Sequence, residues 1–184
     1  MISNIRIIAQ NIVLIIVGFI IFYNTGLHGD DYTAISYFEK KSFYEIFYIN
    51  PLDLGIWIYV LPAYLFFYSF YQILGFDSVF GYELIKFLIH LSSTFFLYKF
   101  FSNFVSSNRS LIASLFFVFF ISHDATTYWY MASAYMLFFP SLVFYSFHLI
   151  YNNYLIRGGL ILVICSFCYS TPPMIFGLSL FFLL

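Results

Sequence analysis

Long apolar runs separated by short polar segments dominate the chain. They fall at about 7–23, 54–74, 84–101, 111–122, 134–151 and 158–184. In the first run only Gln10 and Asn11 are strongly polar, and at ~1.5 Å per residue it crosses most of a hydrocarbon core. The run at 111–122 is short for a span at ~18 Å of helix, so its helix is expected to begin earlier, near Asn108, or to end within protein. Pro172-Pro173 breaks the last run. Proline lacks an N–H and disfavours helix in the residue before it, so two short helices meeting at Thr171-Pro172-Pro173 are expected rather than one. The pattern predicts an all-α, polytopic transmembrane helix bundle.

Composition agrees with that class. Hydrophobic residues make up 63% of the 184 and charged residues 8%, too little polar surface for a soluble globule. Seven Lys and Arg stand against eight Asp and Glu. That balance offers nucleic acid no basic patch. The 28 Phe and 18 Tyr suit lipid-facing helices and interfacial belts and imply no chemistry. Cys165 and Cys168 lie three apart in an apolar run. A lone C-x-x-C there is a weak metal or redox signal, and two small buried residues are the expected reading. No A-x-A-like cleavage site follows Tyr23, so the first run reads as an uncleaved signal anchor.

Charge decides which runs cross. If 54–74 does not, Arg6, Lys99, Arg109 and Arg157 share the cytoplasmic side, as the positive-inside rule favours. If it does, Lys40, Lys41, Lys99, Arg109 and Arg157 all fall outside. The first arrangement is preferred, with five to six spans plus a non-crossing juxtamembrane exterior helix within 54–74, bent at Pro62. The exterior loop then runs from about 24 to 83. All eight acidic residues lie outside, and the Asn108-Arg109-Ser110 sequon is cytoplasmic and fortuitous. No internal repeat or second domain is visible, and 1–184 reads as a single membrane domain.

The acidic pair in His28-Gly29-Asp30-Asp31-Tyr32, directly after the first span, is the leading candidate for chemistry. An enzyme using a lipid-linked substrate needs a carboxylate at the membrane surface as general base. Adjacent side chains point ~100° apart on a helix, so one aspartate faces the substrate while the other orients it, caps a helix or holds a cation. The competing reading has Asp30 simply capping a helix that begins around 31–36. Lys86, inside an apolar helix, is expected to face protein or water, and with Lys40 and Lys41 could attract lipid phosphate; a solvated pair is the plainer reading of those two. His123, Asp124 and Trp129 form a second polar cluster, which is also readable as a polar turn with an interfacial tryptophan. His90 and His148 lie within spans, where a helix–helix hydrogen bond is the default.

This arrangement resembles the amino-terminal half of GT-C superfamily glycosyltransferases. The resemblance rests on Asp30-Asp31-Tyr32 after the first span and on Leu74-Gly75-Phe76 running into Glu83 to Leu91. It continues through Phe116 to Trp129, then Met131 to Phe138, and reaches Ser170-Thr171-Pro172-Pro173-Met174. Two positions depart from the family pattern. Leu61-Pro62 stands where an Arg-Pro pair is frequent, and two prolines replace a Lys-Glu-like break. The resemblance implies sugar transfer from a polyprenyl-phosphate-linked donor on the non-cytoplasmic face of a bacterial inner membrane. It also implies catalytic Asp30 and Asp31, with Asp30 favoured, and substrate contacts from His28, Tyr32, Lys86, His123, Asp124 and Trp129. No metal ligand set is assigned, though a divalent cation is compatible. Family members are generally longer, so the chain would correspond to the amino-terminal part of a larger fold. Two rivals remain: another lipid-linked polysaccharide polymerase or ligase, and a non-enzymatic transporter subunit or assembly partner.

Overall fold

The computed structural model describes residues 20, 27, 29–39, 61–118, 130–168 and 171–183. Among them the structure is all-helical, with no strand. The helices are α1 (Asp30–Glu39), α2 (Leu61–Leu74), α3 (Val79–Phe101), α4 (Ser107–Val118), α5 (130–151), α6 (Leu155–Ser166) and α7 (Pro172–Leu183). By length and composition, α3 and the Ser133–Tyr151 part of α5 can each cross a membrane. The 7–23 run apart from Ile20, the 54–60 stretch, Lys40, Lys41, Ser122 and Ser170 lie outside the described residues.

Pro62 is the second described residue of α2; the stretch before it, 51–60, lies outside the described residues, so the bend expected at Pro62 falls at their edge. Two helix ends have a local cause. Gly75 closes α2 at φ +67°, donating its N–H to Tyr71 O at 2.8 Å, a left-handed cap that glycine adopts without strain. Asn153 ends α5 at φ 67°. There Tyr154 N–H reaches Leu149 O at 2.8 Å and Asn153 N–H reaches Ile150 O at 3.0 Å, the paired bonds of a Schellman motif.

Within α5, residues Ser133–Phe138 form a π-helical turn, and Phe139 N–H bonds Ala134 O. Pro140 is the physical reason. Its ring has no N–H and crowds the preceding turn, so the hydrogen-bond ladder steps out by one residue ahead of it. The 158–184 run is two helices, as Pro172-Pro173 predicts. The Thr171 hydroxyl donates to the carbonyls of Cys165 and Cys168, which also accept the backbone N–H groups of Cys168 and Thr171. Both cysteines are free thiols and buried. α4 begins at Ser107, one residue before the expected Asn108.

The core lies where α3, α5 and α2 meet, with Tyr82, Tyr130, Phe67, Leu97, Leu137 and Val143 fully buried. α3 is inverted relative to a helix of a soluble protein. Leu84, Leu88, Leu91 and Phe95, spaced 4, 3 and 4 along one face, are 40–48% exposed. Glu83, Lys86, His90, Ser93 and Thr94, on the other face, are buried. Ile112, Phe116, Ile156, Leu160 and Val163 likewise point outward, so the outer surface of the bundle is apolar.

Candidate functional site

The described part of the candidate site forms where the start of α1 meets the N-terminal ends of α3 and α5. Gly29 has φ +31° and precedes α1, which makes Asp30 the first helical residue rather than a residue outside the helix. Of Asp30 only the backbone is described. It lies at the positive end of the α1 dipole, where a carboxylate is favoured.

Asp31 is turned inward and 1% exposed. Its Oδ2 accepts the Tyr130 N–H at 2.9 Å. Tyr130 is the first described residue of α5, and the bond joins it to α1 through a buried carboxylate.

Lys86 is fully buried two turns below the start of α3, and its electrostatic neighbours are Asp31 and Glu83. The cluster therefore joins an aspartate from α1, a glutamate and a lysine from α3, and the Tyr130 N–H of α5. Fully buried charges persist only when compensated in this way. Aromatic rings close it off: Tyr130 meets Phe67 with ring centroids 4.6 Å apart and Tyr82 at 4.9 Å. The Tyr82 hydroxyl donates to Gly75 O at 2.7 Å, tying this aromatic floor to the α2–α3 turn.

The remaining sequence candidates divide. Tyr32, 45% exposed, faces outward beside Phe76, with ring centroids 6.0 Å apart, and so borders the α2–α3 turn near the cluster. His28, His123, Asp124 and Trp129 lie outside the described residues. At the far end of α1, burial first, then the charges of Glu39 and Tyr68, push the Tyr71 phenol above its ordinary pKa; α1 thus lies alongside α2.

His90 and His148 each make a side-chain hydrogen bond. His90 Nδ1 lies 2.8 Å from Lys86 O within its own helix. His148 Nδ1 meets Asn103 Oδ1 at 3.0 Å in the turn after α3, and Asn152 Nδ2 donates to the same oxygen at 3.2 Å. No group of three or more His, Cys, Asp or Glu positioned to hold a metal ion occurs among the described residues.

Sequence reasoning passed over Glu83 and Tyr130. Glu83 was detectable, since it sits three residues before Lys86 and seven before His90 on one face of an apolar helix. Tyr130 gave no such signal: it contributes a backbone N–H and a ring, neither of which has a residue pattern. Comparison with protein-family models, curated proteins and solved structures finds no match to the chain.

Proposed function

We propose that this chain is an integral membrane glycosyltransferase of the GT-C type, moving a sugar from a polyprenyl-phosphate-linked donor to an acceptor at the non-cytoplasmic face. The observation that carries the reading is the Asp31 carboxylate, held at the junction of α1, α3 and α5 with Asp30 beside it on the first turn of α1. In the proposed reaction an acceptor hydroxyl or amide attacks the anomeric carbon. The bond from that carbon to the donor phosphate oxygen breaks, and the polyprenyl phosphate leaves with the electron pair. Asp30 takes the acceptor proton. Asp31, buried and bonded to α5, is a positioning residue that fixes where Asp30 stands. Lys86 holds the Asp31 charge in place.

The membrane part of the proposal is five to six spans plus α2 as a non-crossing exterior helix, in a bacterial inner membrane with the site facing outward. The inverted amphipathicity of α3 supports it.

A second reading, a non-enzymatic transporter subunit, draws on a specific observation. Lys86 and His90 are fully buried on a helix that can cross a membrane, and intramembrane ionisable groups commonly mark transport paths. Transfer assays in vesicles carrying a polyprenyl-phosphate sugar separate the two. Wild-type transfer that Asp30→Asn abolishes supports the enzyme. Transfer unchanged in both Asp30→Asn and Asp31→Asn removes the catalytic assignment.

A further inference from the structure

The two halves of α5 dock on different neighbours. In the N-terminal half the Tyr130 N–H reaches Asp31 Oδ2 on α1, and the Tyr130 ring lies 4.6 Å from Phe67 on α2 and 4.9 Å from Tyr82 on α3. Phe138 extends that contact, its ring 5.5 Å from Phe66 of α2 and 6.0 Å from Phe96 of α3. In the C-terminal half Phe144 lies 4.9 Å from Phe100 in the last turn of α3, Phe147 stacks on Phe182 of α7 at 5.3 Å, and Gly158 of α6 comes close to Ser146 O.

The buried faces of these halves are out of register by one residue. Phe147, Val143 and Pro140 are buried at spacings of 4 and 3, as one face of an α-helix requires. The next step of 4 leads back to Met136, which is 43% exposed, whereas Leu137 beside it is fully buried. From Leu137 the buried stripe runs on through Ala134, with the small Ser133 beside it, to Tyr130.

The shift falls inside the π-helical turn at Ser133–Phe138, where Phe139 N–H reaches back five residues to Ala134 O rather than four. A five-residue step holds one residue more than an α-helical one. Pro140 places the change of ladder here, because it has no N–H to give to Met136 O. Were α5 α-helical throughout, Tyr130 would be carried ~100° round the helix axis, away from Asp31, Phe67 and Tyr82.

We propose that the π-turn is a one-residue register insert that aims the Tyr130 end of α5 at Asp31, with Met136 the surplus residue and the turn a positioning element for the aspartate pair. Hydrogen bonds in such a turn are poorer than in an α-helix, and the contacts of Tyr130, Ala134 and Leu137 offset that loss. Removing one residue from the turn lets the α-helical ladder close with both halves facing as before. Removing one from the regular part of α5 turns one half ~100° against its neighbours. This role of the turn needs neither sugar nor donor and stands independently of the transferase reading.

Deletions in the full chain, followed by thermal unfolding in one detergent, test it. Deletion of Met136 should lower the midpoint by less than ~4 °C, and deletion of Leu142, from the regular part of the same helix, by several-fold more. Asp31→Ala should lower the midpoint as far in the chain lacking Met136 as in wild type, because Tyr130 still reaches Asp31. A Met136 deletion that unfolds like the Leu142 deletion, or does not fold, overturns the insert. Two equally mild deletions overturn it as well, since α5 would then have no fixed register. A stable Met136 deletion that no longer responds to Asp31→Ala overturns the aim at Asp31.

Discussion

Asp31 Oδ2 accepts the Tyr130 backbone N–H at 2.9 Å across 99 positions of sequence. This one bond ties the helix after the first apolar run to α5, and it places a carboxylate against a backbone N–H of α5 and the buried Lys86 at once. Asp31→Ala would leave the Tyr130 N–H without its acceptor and remove one of the two carboxylates around Lys86. Breaking a buried pair from one side costs ~3–5 kcal/mol, so the variant should unfold correspondingly earlier in detergent titrations. Asp31→Asn keeps an acceptor oxygen and should lose less. The double variant Asp31→Ala/Lys86→Met removes both sides and should recover most of the loss. No recovery would mean that Asp31 and Lys86 do not interact.

Asp30 is predicted to separate from Asp31 by the kind of damage its loss does. It starts α1 at the positive end of the helix dipole, where Asn is tolerated nearly as well as Asp. Asp30→Asn should therefore change stability by under ~1 kcal/mol while reducing sugar transfer by ~10²–10⁴, the usual worth of a general base. Melting and transfer measured on the same preparation check this. A variant that melts like wild type and transfers like wild type would relieve Asp30 of the role.

Much of this fold is readable along the chain because its signals are local. The apolar runs locate α3 and α5, and Pro172-Pro173 separates α6 from α7 because proline blocks the helix at its own position and the one before. The π-turn before Pro140 has a visible cause in the same chemistry. What is not readable is pairing between distant segments. Nothing at Asp31 names Tyr130, since the contact uses a backbone N–H that almost any residue could supply. Glu83 was placed with the outward charges because it borders the exterior loop, whereas three residues of helix bring it onto the Lys86 face. Tyr32 needed the α2–α3 turn before its neighbour Phe76 could be seen.

Adjacent glycines at the start of α6 should respond in opposite ways. A Cβ on Gly158 would lie 2.8 Å from Ser146 O and 2.6 Å from Ile150 Cγ1. The backbone oxygen cannot swing aside, so Gly158→Ala must push α6 off α5 and should cost ~1–3 kcal/mol, as overpacking does. A Cβ on Gly159 meets nothing within 4 Å. Gly159→Ala should be neutral or stabilise by up to ~1 kcal/mol through helix propensity. Thermal unfolding of the pair in one detergent decides it. Equal effects would show that α6 does not approach α5 this closely.

In the proposed topology α3 crosses the bilayer once, which would put the α2–α3 turn and the α3–α4 turn on opposite sides. Asp77 and Ser106 are both exposed in those turns, so cysteines there should be reachable without disturbing the core. In a background lacking Cys165 and Cys168, an impermeant maleimide applied to intact cells should label Asp77→Cys, and Ser106→Cys only after the membrane is opened. The excess of Lys99, Arg109 and Arg157 at the second side fits that orientation. Labelling of both cysteines from outside would mean that α3 re-enters rather than crosses. Asp31 and the N-terminal end of α3 would then no longer lie toward the compartment that the proposed transfer requires.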